Sequence, residues 1–323
     1  MTAASGPPAP TPADRSAETQ FRTEKEPIAV TVLPVTLGTG TPDADCIADS
    51  AGGLTFDIAA PAGPPAPDGW DAALVLRRRG GDGAADEVRL PLVHANASRL
   101  RAVLPSTVPL PEGRWDASVA LGGGEPERLA PGILDLRSLV DRRPDPDRPS
   151  VAVRVPYATK HGNLSVRSWH RTPHAEAGEI LLSDGALTVQ VRLYGVTAGR
   201  DATAEARCRR DPSLVRTADA CAESAVRGGD GDRHLAFTLP FKELSEAWEG
   251  GADRWDLWLR PTAGAEPVRI ARILDDVPDK KHIFTYPAQP VTAPHGPAEV
   301  GPYYTADNNL SVRIGPVDGS AAA

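Results

Sequence analysis

Two groups of arginines stand out on a chain that is acidic overall, Arg77, Arg78 and Arg79 in its first half and Arg207, Arg209 and Arg210 in its second. A guanidinium fork grips phosphate or carboxylate through paired hydrogen bonds, so both clusters are candidate contacts for a phosphate-rich polymer or a nucleotide-linked sugar. The plainer alternative is an edge strand whose charges discourage pairing with another chain. A second candidate set occurs twice. The stretch "PYATKHGNLSVRSW", residues 156–169, offers Tyr157, Asn163 and Arg167, and "PYYTADNNLSVRIG", residues 302–315, offers Tyr303, Asn309 and Arg313. Phenol, amide and guanidinium grouped in this way could meet a glycan or a phosphate in each copy. A hairpin under turn and packing constraints accounts for the same residues without any ligand.

Other chemistry finds weaker support. His161, His170 and His174 lie close in sequence, but Pro173 interrupts "HRTPH", so the two outer histidines cannot share one face of a helical turn, and no cysteine pair or HExxH pattern adds to a zinc site. Asp43, Asp45 and Asp49, and the "DPD" at 145–147, carry oxygen ligands that suit calcium, yet lack the glycine and terminal glutamate of an EF-hand loop; solvated acidic loops are expected. The chain has no GxSxG elbow, no phosphate loop and no GxGxxG after a strand. No cofactor and no metal are expected. A pair of carboxylates for glycoside hydrolysis is recognised by separation in space, which a sequence does not give.

The elements that must position these residues follow from repetition and periodicity. "IADSAGGLTFDI" at 47–58 matches "ILLSDGALTVQV" at 180–191, "LRAVLP" matches "LAFTLP", "GRWDASVAL" matches "DRWDLWLRP", "GILDL" matches "RILDD", and the hairpins come last. The blocks keep their order while their spacing grows, as happens when loops lengthen and strands are retained. Within the blocks apolar and polar residues alternate with a period of two, bounded by "SAGG", "SDGA", "RGGDG" and "GGDGD" turns. The expected fold is all-β, two tandem antiparallel β-sandwich domains of immunoglobulin-like type related by internal duplication. The expected limits are a disordered tail at 1–25, one sandwich at 26–171, a second at 172–316 and a tail at 317–323, with residues 172–316 able to fold alone. The strand near 164–169 could belong to either sandwich. One short helix is expected in "LPFKELSEAWEGG", where Phe241, Leu244 and Trp248 share a face; the prolines of "LPSTVPLPEG" exclude it from the first copy. In the hairpins, Gly162-Asn163 and Asn308-Asn309 suit tight turns, Leu164, Val166, Leu310 and Val312 should face the core, and Ser165, Arg167, Ser311 and Arg313 should face solvent.

Composition narrows the class. A chain of 323 residues with 41% hydrophobic and 24% charged residues is globular, and 30 Gly with 33 Pro leave little room for long helices. The net charge of -8 argues against nucleic acid as a general partner. Three cysteines without CxxC spacing read as reduced thiols, and no long apolar run or signal segment is seen, which makes cytoplasm the expected compartment. Positive charge carried mostly by Arg, with abundant Ala, Gly and Pro, fits a high-GC bacterium.

The two "NLSVR" hairpins resemble those of β-sandwich accessory modules in actinobacterial transferases of cell-wall polymer synthesis, the glycosyltransferases and glycerophosphotransferases of teichoic-acid-type assembly. That resemblance implies modules that sit beside a catalytic domain and contact substrate or partner subunits. It implies a cell-envelope glycosyltransferase or phosphotransferase as partner and a glycan or phosphate-rich polymer as ligand. Once both copies are accounted for, no catalytic domain remains in this chain. The expected role is therefore a binding or assembly protein without turnover of its own; the alternative is a transferase or hydrolase with its site in the crevice between the sandwiches.

Overall fold

The computed structural model describes residues 41–60, 71–96, 98–122, 124–140, 142–222 and 231–317. The expected tail at 1–25, and all but Val317 of the one at 317–323, lie outside the described residues. Strands dominate what is described, and they form an all-β sandwich architecture.

In the first half one sheet runs in the order Val93–Asn96, Arg99–Leu104, Leu54–Ala59, Asp43–Ala48, Ala130–Asp135, antiparallel except for the last pair. The opposing sheet runs Val151–Ala158, Leu164–Arg171, Gly113–Leu121, Ala72–Arg78, Glu87–Pro91, antiparallel throughout. Alternation explains the core between them: Leu54, Phe56 and Ile58 from one sheet meet Leu74, Leu76 and Trp115 from the other, all within one apolar cluster.

The second half follows the same order. Cys221–Ala222, His234–Pro240, Ala186–Tyr194, His174–Ser183 and Val268–Ala271 form one sheet, again with a parallel last pair. Val215–Asp219, Thr203–Cys208, Asp253–Arg260, Leu310–Pro316 and Gly296–Tyr304 form the other, with Gln289–Ala293 added at its edge. Val268–Ala271 pairs into both sheets and makes them continuous.

The expected helix is Phe241–Ser245, with Phe241, Leu244 and Trp248 buried. It is not the sole helical segment: a four-residue helix at Arg137–Val140 and a 3-10 turn at Ala84–Asp86 have no apolar periodicity long enough to read in sequence.

The strand Leu164–Arg171 pairs with Val151–Ala158 and Gly113–Leu121, and pairing passes to the second half from His174 onward. The first core does not stop there. Tyr194, Ala271, Ile273 and Leu274, from the second half, belong to its apolar cluster. A fully buried side chain of this kind is worth about 1.5–3 kcal/mol relative to exposure. Residues 172–316 expressed alone should fold around their own core of Trp255, Phe237 and Leu257, but with those junction side chains in water. We expect a cooperative melt at lower temperature than the full chain, and concentration-dependent self-association in sedimentation. A monomeric fragment as stable as the parent would show that the junction adds nothing.

Candidate functional site

Neither arginine cluster sits on an edge strand. Ala72–Arg78 is flanked on both sides, as is Thr203–Cys208, so protection of an exposed edge does not account for them. Each guanidinium meets a carboxylate instead. Arg77 pairs with Glu87 at 2.6 Å, Arg78 with Asp86 at 2.7 Å and Arg79 with Asp116 at 2.7 Å. Arg207 pairs with Glu205 at 2.7 Å and lies over the Trp258 ring, Arg209 pairs with Asp256 at 2.7 Å, and Arg210 meets Glu249 at 2.9 Å and Asp253 at 3.1 Å. The first cluster, with Arg128 and Asp116, also lines a recess of about 380 Å³.

Two of these pairs belong to a larger arrangement that occurs in both halves. Asp116 sits on Gly113–Leu121, and its Oδ1 accepts hydrogen bonds from Arg79 Nε at 2.8 Å and from Ser165 Oγ at 2.8 Å. Arg79 Nη2 also donates to Ser165 Oγ at 3.0 Å, and Arg128 closes on Asp116 Oδ2 at 2.8 Å. In the second half Asp256 Oδ1 accepts from Arg209 Nε at 3.0 Å, from Ser311 Oγ at 2.8 Å and from Arg269 Nη2 at 2.8 Å, while Arg269 Nη2 reaches Ser311 Oγ at 2.8 Å. The Asp116 and Asp256 hydrogen bonds hold Arg79 and Arg209 above their ordinary values, and Tyr157 and Tyr303 stand near those two guanidiniums. Thus "RWD" and "LSVR" recur together because aspartate and serine are two parts of one polar cluster.

This cluster corrects the expectation that Ser165, Arg167 and Ser311 face solvent. Their exposures are 0%, 4% and 0%. Period-two alternation does point them away from the apolar core, but that outer face is roofed by guanidiniums and, for Arg167, by the other sandwich. Arg313 is exposed, as expected.

Arg167 is the centre of the contact between halves. Its Nη2 donates to Asp307 at 2.7 Å and its guanidinium lies 4.9 Å from the Trp169 ring centre. Trp169 Nε1 donates to the Asp307 carbonyl at 3.2 Å, Arg114 to the Ala306 carbonyl at 3.0 Å, and Arg171 to Asn309 Oδ1 at 3.2 Å. Burial, the largest influence on Arg167, pushes its proton affinity down, and Asp307 opposes that. The second hairpin's turn is therefore seated on the first hairpin's strand. Both turns are built alike: Thr159 Oγ1 accepts the Asn163 N–H and Thr305 Oγ1 the Asn309 N–H, with Gly162 and Asn308 at positive φ. The remaining tyrosine and asparagine candidates are thus split between these turns and the two clusters rather than gathered in one site.

The histidines are not brought together as ligands. His161 and His170 are exposed, whereas buried His174 hydrogen-bonds Glu176 at 2.7 Å, and that carboxylate accepts the Ile273 and Leu274 N–H groups. Asp49 caps its own turn through the Ala51 and Gly53 N–H groups, Asp45 accepts the Ile133 N–H, and Asp147 pairs with Arg233 at 2.6 Å. Cys46 and Cys208 are buried, Cys221 is exposed, and desolvation pushes the Cys46 thiol far up. The residues that reading the sequence passed over are Asp116, Asp256, Arg128 and Arg269; the repeated "RWD" was the signal for the two aspartates, and no repeat marked the two arginines.

No family model matches the chain, and no curated protein matches its sequence. Among solved structures, S. aureus TarS aligns over 61% of this chain and 35% of its own, at 14% identity and a TM-score of 0.27. A second TarS structure, covering its residues 217–571, aligns over 61% of this chain and 55% of its own with the same identity and score. The chain therefore spans about a third to about half of the TarS chains it matches. A marsupial T cell receptor aligns over 85% of this chain and 92% of its own, at 8% identity and a TM-score of 0.25. TM-scores of this size carry no argument about activity or ligand.

The doubled cluster makes a stability test. Burial raises the Asp256 carboxyl, but the Arg209 hydrogen bonds, the Arg269 charge and the Ser311 hydroxyl together outweigh it and hold the group below its ordinary value. Burial pushes Arg269 down to about 10, still charged at neutral pH. Asp256→Ala leaves Arg269, at 9% exposure, without its carboxylate. We expect a loss of about 3 kcal/mol, the low end for breaking a buried pair, and about 1 kcal/mol for Ser311→Ala. A depressed carboxyl stabilises the fold above its unfolded value of about 3.9 and ceases to do so as pH falls through the folded one. Urea unfolding at pH 7 and pH 3 should therefore show a smaller acid-induced loss in Asp256→Asn than in the parent.

Proposed function

We propose that this chain is a non-catalytic binding or assembly protein, two sandwiches descended from one duplicated module, working beside a cell-envelope polymer transferase. The observation that carries the reading is the doubled Arg–Asp–Ser–Arg cluster. Active sites ordinarily break local rules, holding charged groups short of partners so that substrate can supply them. Here the two carboxylates that recur at one place in both halves are satisfied within the fold: Asp116 by Arg79, Arg128 and Ser165, and Asp256 by Arg209, Arg269 and Ser311. The crevice reading has less behind it, because Arg114, Arg167, Trp169 and Arg171 are already engaged with the 306–309 turn. The cellular setting comes from the hairpin resemblance alone.

In this reading polymer contacts fall on the outer guanidiniums, foremost Arg77, whose side chain is 61% exposed beside the recess, with Arg78 and Arg79 behind it. A polyanion there competes with Glu87 and Asp86, so binding is weak per site and gains from multivalency. The triple variant Arg77→Gln, Arg78→Gln, Arg79→Gln should be retained less than the parent on a phosphate-rich wall polymer. Added salt should act likewise, since exposed charges are screened over about 8–10 Å. Equal retention would remove the polymer contact. Purified protein incubated with nucleotide-activated sugars, CDP-glycerol and a wall-polymer acceptor should form no product, while a transferase should co-purify from lysate. Product formed by the protein alone would overturn the reading.

A further inference from the structure

The two halves share the order of their main strands, so the place where they differ in chemistry is informative. In the hairpin of the first half Arg154 is paired across the strands with Ser168; at the matching register of the second half the pair is Val300 with Ile314. What lies over these pairs differs too. After Pro240 the second half forms the helix Phe241–Ser245, which packs on Gly296–Tyr304 and Gln289–Ala293 and places Phe241, Leu244 and Trp248 in the same apolar cluster as Val300 and Ile314. After Pro105 the first half has no helix. Its Ser106–Glu112 stretch instead borders an open cleft of about 1080 Å³, whose floor holds Arg154 and Ser168.

That cleft carries an excess of positive charge, with Arg142, Arg143, Arg148 and Arg154 in its lining against Glu112 and Asp145. Arg154 is 4% exposed, and its guanidinium is held by backbone carbonyls alone: Gly52 at 3.1 Å, Pro105 at 3.0 Å and Val108. Arg142 donates to the Ala152 carbonyl at 2.6 Å, while its buried Nε and Nη1 have no hydrogen-bond partner among the described residues. Carbonyl dipoles solvate a guanidinium but leave its charge uncancelled. Burial accordingly pushes both arginines below their ordinary values; Asp49 opposes this from nearby, yet its carboxylate is bound to its own turn. Arg143 and Arg148 stand exposed on the rim. Of the two carboxylates lining the cleft, Glu112 is tied to Arg171 at 2.8 Å and Asp145 accepts the Asp147 N–H at 3.0 Å.

We propose that this cleft binds a small anionic ligand, one that presents a phosphoryl or carboxylate oxyanion to the arginines and hydroxyls to Ser106, Thr107 and Ser150. Its size is just above the usual range of about 300–1,000 Å³ for ligand pockets. At the matching place in the second half the helix lies over apolar Val300 and Ile314, so the arginines are more than a requirement of the shared scaffold. The site is separate from the Arg77 recess, and it stands or falls without that reading.

The test is calorimetric titration of the full chain with glycerol 1-phosphate, glucose 1-phosphate and glucuronate, with glucose as neutral control. At least one anion should bind saturably and glucose should not; the order of phosphate esters and glucuronate identifies the oxyanion. The rim variant Arg143→Gln, Arg148→Gln, exposed and therefore foldable, should bind at least tenfold more weakly. The single variant Arg77→Gln, at an exposed side chain outside the Asp116 cluster, should bind as the parent does. No saturable binding of any of the three anions, binding of glucose as tight as theirs, or parental affinity in the rim variant would each overturn the proposal.

Discussion

A carboxylate gripped by two guanidiniums and a serine hydroxyl, on the outer face of a sheet, is the contact around which each half is arranged. In the first half it joins four segments: Asp116 from Gly113–Leu121, Arg79 from the end of Ala72–Arg78, Ser165 from Leu164–Arg171 and Arg128 from the short edge strand Glu127–Arg128. Apolar burial alone would hold these strands against the opposite sheet, but it is indifferent to sliding along the strand axis by two residues. A charge-assisted cluster is not, since such a slip would strand a carboxylate or a guanidinium. The polar roof therefore fixes register while the core beneath supplies most of the cohesion.

The same cluster explains why the halves can diverge elsewhere. With strand order and register fixed, neighbouring positions are released for separate uses. Arg167 and Trp169 became contacts to the second half, whereas their counterparts Arg313 and Gly315 did not. Arg154 and Ser168 gave one half a charged floor, and Val300 and Ile314 gave the other a seat for a helix. A shared scaffold thus carries unlike surfaces on its two halves.

Much of this was legible in the sequence. Alternation and turn residues indicated strands, the ordered blocks indicated a repeated strand order, and "LPFKELSEAW" indicated the helix. Arg167 and Ser165 escaped because period-two reasoning knows only a core face and a solvent face. It has no term for an outer face covered by long side chains or by a second sandwich. The arginine clusters were legible as charge but not as paired charge, for Asp116 and Asp256 lie 37 and 47 residues along the chain from Arg79 and Arg209 and meet them only after the sheet forms. The cleft was invisible for a related reason: its arginines, at 142, 143, 148 and 154, look like ordinary loop and strand charges until the absence of a covering helix is seen in three dimensions.

The seating of the 306–309 turn on Arg167 and Trp169 has a consequence for the order of assembly. As the chain emerges from the ribosome, the surface of Leu164–Arg171 that receives this turn must wait until residues 306–309 have been made. During that interval Trp169 and the apolar junction await partners that do not yet exist. A nascent or truncated chain thus displays apolar surface that the complete chain covers, the kind of surface that chaperones and proteases read.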